Sequence, residues 1–312
     1  MLAPALVRQY AVGQHIDVAV ADQEIVLHYV LALLNTEGLI GSPPGGEIPG
    51  ALLFKGGTAL RKCVFGSTGR FSQDIDLDAT HRNGFEAEIE AAFAAHNPYY
   101  GIRFSVPNFR YSQDGNFSGT VTYEHQDANG AFELQISYRL EPVLAPRVLT
   151  LLPQGYFTRV ECGVPELFGI DPYEMIGEKL MACSRRLGGS AKDIYDLYLW
   201  TQRPFDAELV RRLAVLKAWT DRRQQARFDP QVFLARIQPA SFRWEDIQQL
   251  VPRGLTTDRQ AICAAVRERF AFLAELQPDE RLLLDDQTAH REVGLFSRLK
   301  VDAQARAANV PR

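Results

Sequence analysis

The run Ala51-Leu52-Leu53-Phe54-Lys55-Gly56-Gly57-Thr58-Ala59-Leu60 is soon followed by Ser72-Gln73-Asp74-Ile75-Asp76-Leu77, and no other pairing in the chain restricts its fold as much. Residues 51–54 are apolar and read as a buried strand, Thr58-Ala59-Leu60-Arg61-Lys62 reads as the start of a helix, and Gly56 and Gly57 form the turn between them. Such a turn aims backbone N–H groups and the positive end of the helix dipole at an anion. In Asp74-Ile75-Asp76-Leu77 polar and apolar residues alternate, so on a strand both carboxylates share one face while Ile75 and Leu77 enter the core. Two close carboxylates repel unless a cation sits between them. Hard oxygen ligands beside a phosphate-handling turn favour Mg²⁺, which commonly uses one or two protein carboxylates. Alone, a Gly-Gly turn is usually only a turn, and an Asp-x-Asp on a strand is usually solvated charge. Together, with Arg70 and Ser72 between them, they suit metal-dependent chemistry on a nucleoside triphosphate. The pattern lacks the third glycine of a dinucleotide-binding turn and the Gly-Lys-Ser/Thr of a P-loop.

Two further segments, Ile176-Gly177-Glu178-Lys179-Leu180 and Ala191-Lys192-Asp193-Ile194-Tyr195-Asp196-Leu197, complete a set of motifs. KGGTAL and RFSQDIDL in residues 55–77 resemble the N-terminal signature of the AbiEii/AbiGii toxin family, and the later two resemble its E-K-L and R-D-x-Y-D-L motifs. The resemblance spans roughly residues 50–200. It implies an α+β fold: a polymerase-β-like nucleotidyltransferase domain with a mixed sheet, then a mostly helical domain. It also implies a nucleotidyltransferase of bacterial abortive-infection (phage defence) and toxin–antitoxin systems, modifying RNA, most plausibly the tRNA 3′ end, and silenced by an adjacent antitoxin. Residues 1–46 are expected as a helical lead, 47–165 as the nucleotidyltransferase-like domain, and 166–312 as the helical domain completing the cleft.

The net charge of −4 offers nucleic acid no global attraction, so an RNA contact would need a local basic surface. Between Arg203 and Arg269, thirteen Lys or Arg stand against eight Asp or Glu, with Trp219, Phe228, Phe242 and Trp244 interspersed. Such a mixture suits nucleic acid, although solvated arginines on ordinary helices give the same count. The start, Met1-Leu2-Ala3-Pro4, carries no secretory pattern, and no run is read as approaching a membrane span. The expectation is a cytoplasmic protein without a membrane partner. Four separated cysteines, Cys63, Cys162, Cys183 and Cys263, support neither a zinc site nor a disulfide framework.

Residues 22–34 place Ile25, Val26, Tyr29, Val30 and Leu33 on one helix face, and residues 41–46 read as an irregular linker. Residues 85–96 read as a helix, and segments around 102–106, 119–123 and 131–140 as strands, the last two forming a hairpin. Asp171-Pro172-Tyr173-Glu174 is a helix start, with Asp171 as N-cap and Glu174 placed to reach back. On the helix that follows, Lys179 lies within the apolar stripe and Glu174, Glu178 and Arg185 lie opposite. Snorkelling of its stem is the ordinary explanation for such a lysine; with the family motif, a contact to the triphosphate is preferred. Asp193 sits where a carboxylate can complete a helix cap, and Asp193 and Asp196, in a nearly all-apolar helix, each need a partner, with Lys179 and Lys192 the candidates. The resemblance places Asp193 in the active-site set.

The expected roles are therefore Asp74 and Asp76 as Mg²⁺ ligands, Gly56, Gly57 and Thr58 as donors to the outer phosphates, and Ser72 and Lys179 as further contacts to the NTP co-substrate. One departure stands out. Polymerase-type nucleotidyltransferases place a third carboxylate on a neighbouring strand, and here that position falls on Gln135, with Glu133 on the same strand face. Either Glu133 substitutes, or the metal set is reduced, or the acceptor is activated elsewhere. Three rival functions stay open: nucleotidylation of a small molecule or protein side chain, kinase-like phosphoryl transfer, and a non-catalytic nucleotide- or partner-binding domain.

Overall fold

Two helices, α1 (Pro4–Gln14) and α2 (Val18–Thr36), precede the sheet in a computed structural model that describes residues 2–41, 52–79, 84–105, 108–111, 116–126, 128–138, 142–185, 189–221 and 227–310. Asp17 caps α2 by accepting from the Ala19 N–H at 2.9 Å. Where the sequence suggested one apolar face from residue 22, α2 starts earlier and is buried all round. Ile25, Val26, Leu27, Tyr29, Val30, Leu31, Leu33 and Leu34 are all enclosed, and so are Asp22, Glu24 and His28. A helix buried on every side must satisfy its polar groups internally. Tyr123 and His125 bond Asp22 at 2.9 and 2.8 Å, Lys62 bonds Glu24 at 2.8 Å, and His28 bonds the Gly163 carbonyl at 2.8 Å. The expectation that no run approaches a membrane span is corrected here, because α2 has the length and apolarity of one. Its burial accounts for that composition as a core helix.

Eight strands follow among the described residues: β1 (Leu52–Lys55), β2 (Asp74–Ala79), β3 (Arg103–Phe104), β4 (Asn108–Tyr111), β5 (Phe117–His125), β6 (Ala128–Ser137), β7 (Arg147–Leu149) and β8 (Leu167–Gly169). They form one mixed sheet in the order β3-β5-β6-β2-β1-β8-β7, with β4 also on β5. The expected hairpin is β5–β6, paired antiparallel from Phe117↔Ile136 to His125↔Ala128. The short strands β4, β7 and β8 had not been anticipated, since runs of three or four residues carry little alternation to read. Helices α3 (Gly56–Leu60) and α4 (Phe85–Ala95) complete this part, and α3 runs on as a π-helical turn, Arg61–Phe65. The linker expected at residues 41–46 lies almost wholly outside the described residues.

The chain divides into two compact units. The sheet unit comprises Met1–Glu141, Pro146–Ile170 and Gln249–Leu255. Its last piece returns from far along the sequence, and the Leu250 carbonyl accepts from the Phe71 N–H at 2.7 Å. The helical unit comprises Pro142–Ala145, Asp171–Gln248 and Thr256–Arg312. It contains α5 (Pro172–Arg185), α6 (Lys192–Thr201), α7 (Ala207–Thr220), α8 (Pro230–Arg236), α9 (Glu245–Gln248), α10 (Arg259–Arg269), α11 (Pro278–Asp285) and α12 (Val293–Ala308). Asp171 caps α5 as expected, accepting from the Tyr173 N–H at 2.9 Å. Glu174 does not reach back to complete that cap. It is fully buried, takes the Val143 and Leu144 N–H groups at 2.8 Å each, and pairs with the equally buried Lys217. Lys217 also bonds Glu178 at 3.0 Å.

Candidate active site

Strand β2 carries its polar residues on one face, as the alternation required. Ile75 and Leu77 are buried, and Asp74 and Asp76 are half-buried. The alternation continues one step beyond the motif, because Asp78 shares that face and is enclosed. Asp78 is the residue the sequence reading missed, although D-I-D-L-D signals it. On the parallel neighbour β6, Glu133 lies beside Asp74 and Gln135 beside Asp76. Gln135, to which the resemblance assigned the place of a third acid, thus lies beside Asp76. Glu133 receives a hydrogen bond from the Thr120 hydroxyl on β5.

The glycine turn meets this face directly. Gly56 has φ of +77°, in the left-handed region that glycine tolerates. A Cβ built there would lie 2.7 Å from Cγ of Asp76 and closer still to its carboxylate oxygen, so the Asp76 side chain fills the hollow that the missing methyl leaves. At Gly57 a Cβ would stand 2.8 Å from the Arg70 guanidinium and 3.2 Å from Ser72 Oγ. Gly56 is thus required by close approach as well as by its backbone conformation, whereas a side chain at Gly57 would have to displace the end of Arg70. Thr58 is fully buried, and its hydroxyl donates to the Asp74 carbonyl. That bond ties the first turn of α3 to the start of β2, so any contact from Thr58 to a ligand must come from its backbone N–H. Ser72 is buried next to this turn, in the loop pinned by Leu250.

The fit to a divalent cation follows from these contacts. Two carboxylates share a strand face, and one of them is seated against the glycine turn. Among the described residues no group of three or more His, Cys, Asp and Glu side chains is placed to hold a metal. A cation here would take two protein carboxylates, the small complement that Mg²⁺ commonly accepts alongside water and phosphate oxygens.

In the helical unit, Lys179 on α5 neither snorkels nor projects alone. Its ammonium bonds Asp193 at 2.8 Å and Asp196 at 3.0 Å, both on α6, and all three side chains are largely buried. Asp193 is the second residue of α6, and its carboxylate accepts from Lys179. Asp196, whose part was open from sequence, belongs to the same clamp. The two carboxylates offset part of the desolvation that burying the ammonium costs.

The basic surface expected between Arg203 and Arg269 survives only in part. Trp219, Phe228, Phe242 and Trp244 are all buried, so none presents a face for base stacking. Arg211 is spent on Glu280 at 2.7 Å, Arg212 on Glu208 at 3.1 Å, and Lys217 on Glu174 and Glu178. Arg203, Arg227, Arg236, Arg243, Arg259, Arg267 and Arg269 remain exposed in the helical unit.

The sequence model of the family described as "Nucleotidyl transferase AbiEii toxin, Type IV TA system" matches residues 48–290. The chain belongs to that family. The AbiEii match includes every motif quoted above and extends into both units, short of α1, α2 and α12. MenT4, a nucleotidyltransferase toxin from Mycobacterium tuberculosis H37Rv, superposes with a TM-score of 0.75 at 26% identity, over 96% of this chain and 99% of that one. JHP933 from Helicobacter pylori is more distant, with a TM-score of 0.49 and 15% identity over 89% of this chain and 98% of that one. No curated protein matches the sequence.

Proposed function

We propose that this AbiEii toxin is a metal-dependent nucleotidyltransferase that moves a nucleotide from an NTP onto RNA, at the 3′ end of tRNA, and so blocks translation until an antitoxin restrains it. The observation that carries the reading is the Asp76 carboxylate seated in the hollow at Gly56, with Asp74 on the same strand face. An acid pair set against a glycine turn fits a metal-bound triphosphate better than it fits a solvated strand edge. Asp74 and Asp76 would hold Mg²⁺, whose chemistry is to neutralise charge on the phosphates as pyrophosphate departs. The N–H groups of Gly56, Gly57 and Thr58 would donate to phosphate oxygens, and Ser72, beside Gly57, would add a hydroxyl. Lys179, held by Asp193 and Asp196, is proposed as the cation for the triphosphate, with the two aspartates as its positioning residues. Catalysis would then consist chiefly of aligning an acceptor hydroxyl with the α-phosphorus. The exposed arginines of the helical unit give RNA a place to bind; the cytoplasm is where such an acceptor is found.

The test is incubation of the protein with each α-labelled NTP, Mg²⁺ and total cellular RNA, beside Asp76→Ala and Lys179→Ala. Label should enter RNA with the native chain alone. Transfer from a γ-labelled NTP would replace this reading by phosphoryl transfer, and label entering only small molecules or protein would change the acceptor. No transfer in any arm would leave a binding domain.

A further inference from the structure

The third acid of β2 is paired with a lysine that comes from the glycine motif itself. Lys55 is the last residue of β1 and directly precedes Gly56; in the antiparallel β1–β2 ladder it lies opposite Asp76, while Leu53 lies opposite Asp78. Its ammonium forms an ion pair with the Asp78 carboxylate, and the two side chains are only 14% and 2% exposed. Burying such a pair costs desolvation that an apolar pair would avoid, so the pair is poor value as a stabilising device alone. Its position suggests another use. Asp74, Asp76 and Asp78 succeed one another on one face, and side chains directly opposite in an antiparallel ladder have Cβ atoms about 5 Å apart, which puts the stem of Lys55 against Asp76.

We infer that the Lys55–Asp78 pair sets the cation affinity of Asp74 and Asp76, with Asp78 taking up the Lys55 charge that would otherwise fall wholly on Asp76 and compete with a divalent ion. Lys55 and Asp78 are positioning residues in this scheme and touch neither metal nor nucleotide. The inference rests on Asp74 and Asp76 being the metal ligands.

The test is Mn²⁺ binding to the full chain, followed by the electron paramagnetic resonance of unbound Mn²⁺, with circular dichroism to confirm folding. Wild type should bind and Asp76→Ala should not. Asp78→Asn should weaken binding by roughly tenfold to a hundredfold, the range found when residues supporting metal ligands are altered. The double variant Lys55→Met/Asp78→Asn should return towards the wild-type affinity, because the competing charge is gone; a purely structural pair gives no such recovery. If Asp78→Asn does not fold, Lys55→Met alone decides, and should bind Mn²⁺ more tightly than wild type. Asp78→Asn binding like wild type, a double variant as weak as Asp78→Asn, or Lys55→Met binding no tighter would overturn the inference while leaving the metal reading intact. Absence of Mn²⁺ binding by wild type, or equal binding by Asp76→Ala, would overturn both.

Discussion

Replacing Gly56 by alanine probes the contact on which the active-site reading turns. Two costs add at this position. Gly56 has φ of +77°, and an L-residue held in the left-handed region costs about 1 to 2 kcal/mol. The added methyl would also stand 2.7 Å from both Cβ and Cγ of Asp76, well inside contact distance, and forcing extra volume into a packed site costs about 1 to 3 kcal/mol. The expected total is about 2 to 5 kcal/mol, shared between lost stability and a displaced Asp76 carboxylate. Gly38 supplies the control, because its φ is +71° yet an added Cβ there meets nothing within 4 Å. Gly38→Ala should therefore show the backbone cost alone. Urea unfolding of both variants, followed by tryptophan fluorescence and circular dichroism, separates the two costs. If Gly56→Ala unfolds no more easily than Gly38→Ala and still binds Mn²⁺ as wild type does, Asp76 does not sit in the glycine hollow, and the argument for a metal-bound triphosphate there fails.

Lys179→Met should destabilise the chain by about 3 to 5 kcal/mol, since it leaves Asp193 and Asp196 buried without their cation. Lys179→Met/Asp193→Asn/Asp196→Asn should recover most of that stability without recovering nucleotidyl transfer, as urea midpoints and the labelled-NTP assay will report; recovery of transfer would remove Lys179 from the catalytic set. Glu174→Gln should cost about 3 kcal/mol, because it strips the fully buried Lys217 of a charged partner and weakens the bonds holding Val143 and Leu144; an unchanged unfolding midpoint would contradict that packing. Burial, then the nearby Lys62 charge, holds His28 down at about 4. Its unfolded form takes up a proton near pH 6.5 while the folded form stays neutral, so stability is complete above about pH 6.5 and falls by about 3 kcal/mol as pH drops through 4. Unfolding midpoints of wild type and His28→Gln across that window should diverge in slope, with the variant flatter; parallel slopes would show that His28 is not the group responsible.

Local pattern carried much of this protein. The alternation in Asp74-Ile75-Asp76-Leu77 assigned each side chain to a face because a strand repeats every two residues, and Gly56-Gly57 marked the turn between a strand and a helix. Those signals, with the lysine and aspartate motifs on two later helices, were enough to indicate the family and its α+β class. What they could not supply was partnership across long sequence separations. That Lys179 is held by Asp193 and Asp196, that Glu174 serves Lys217 rather than its own helix end, and that four aromatic residues among arginines belong to the core depend on which helices pack together. Helix periodicity says which residues share a face but not what that face meets. The ion pair between Lys55 and Asp78 has the same origin. Each residue is unremarkable in sequence, and only the antiparallel register of two neighbouring strands, set by hydrogen bonding and side-chain packing throughout the sheet, brings their charges together.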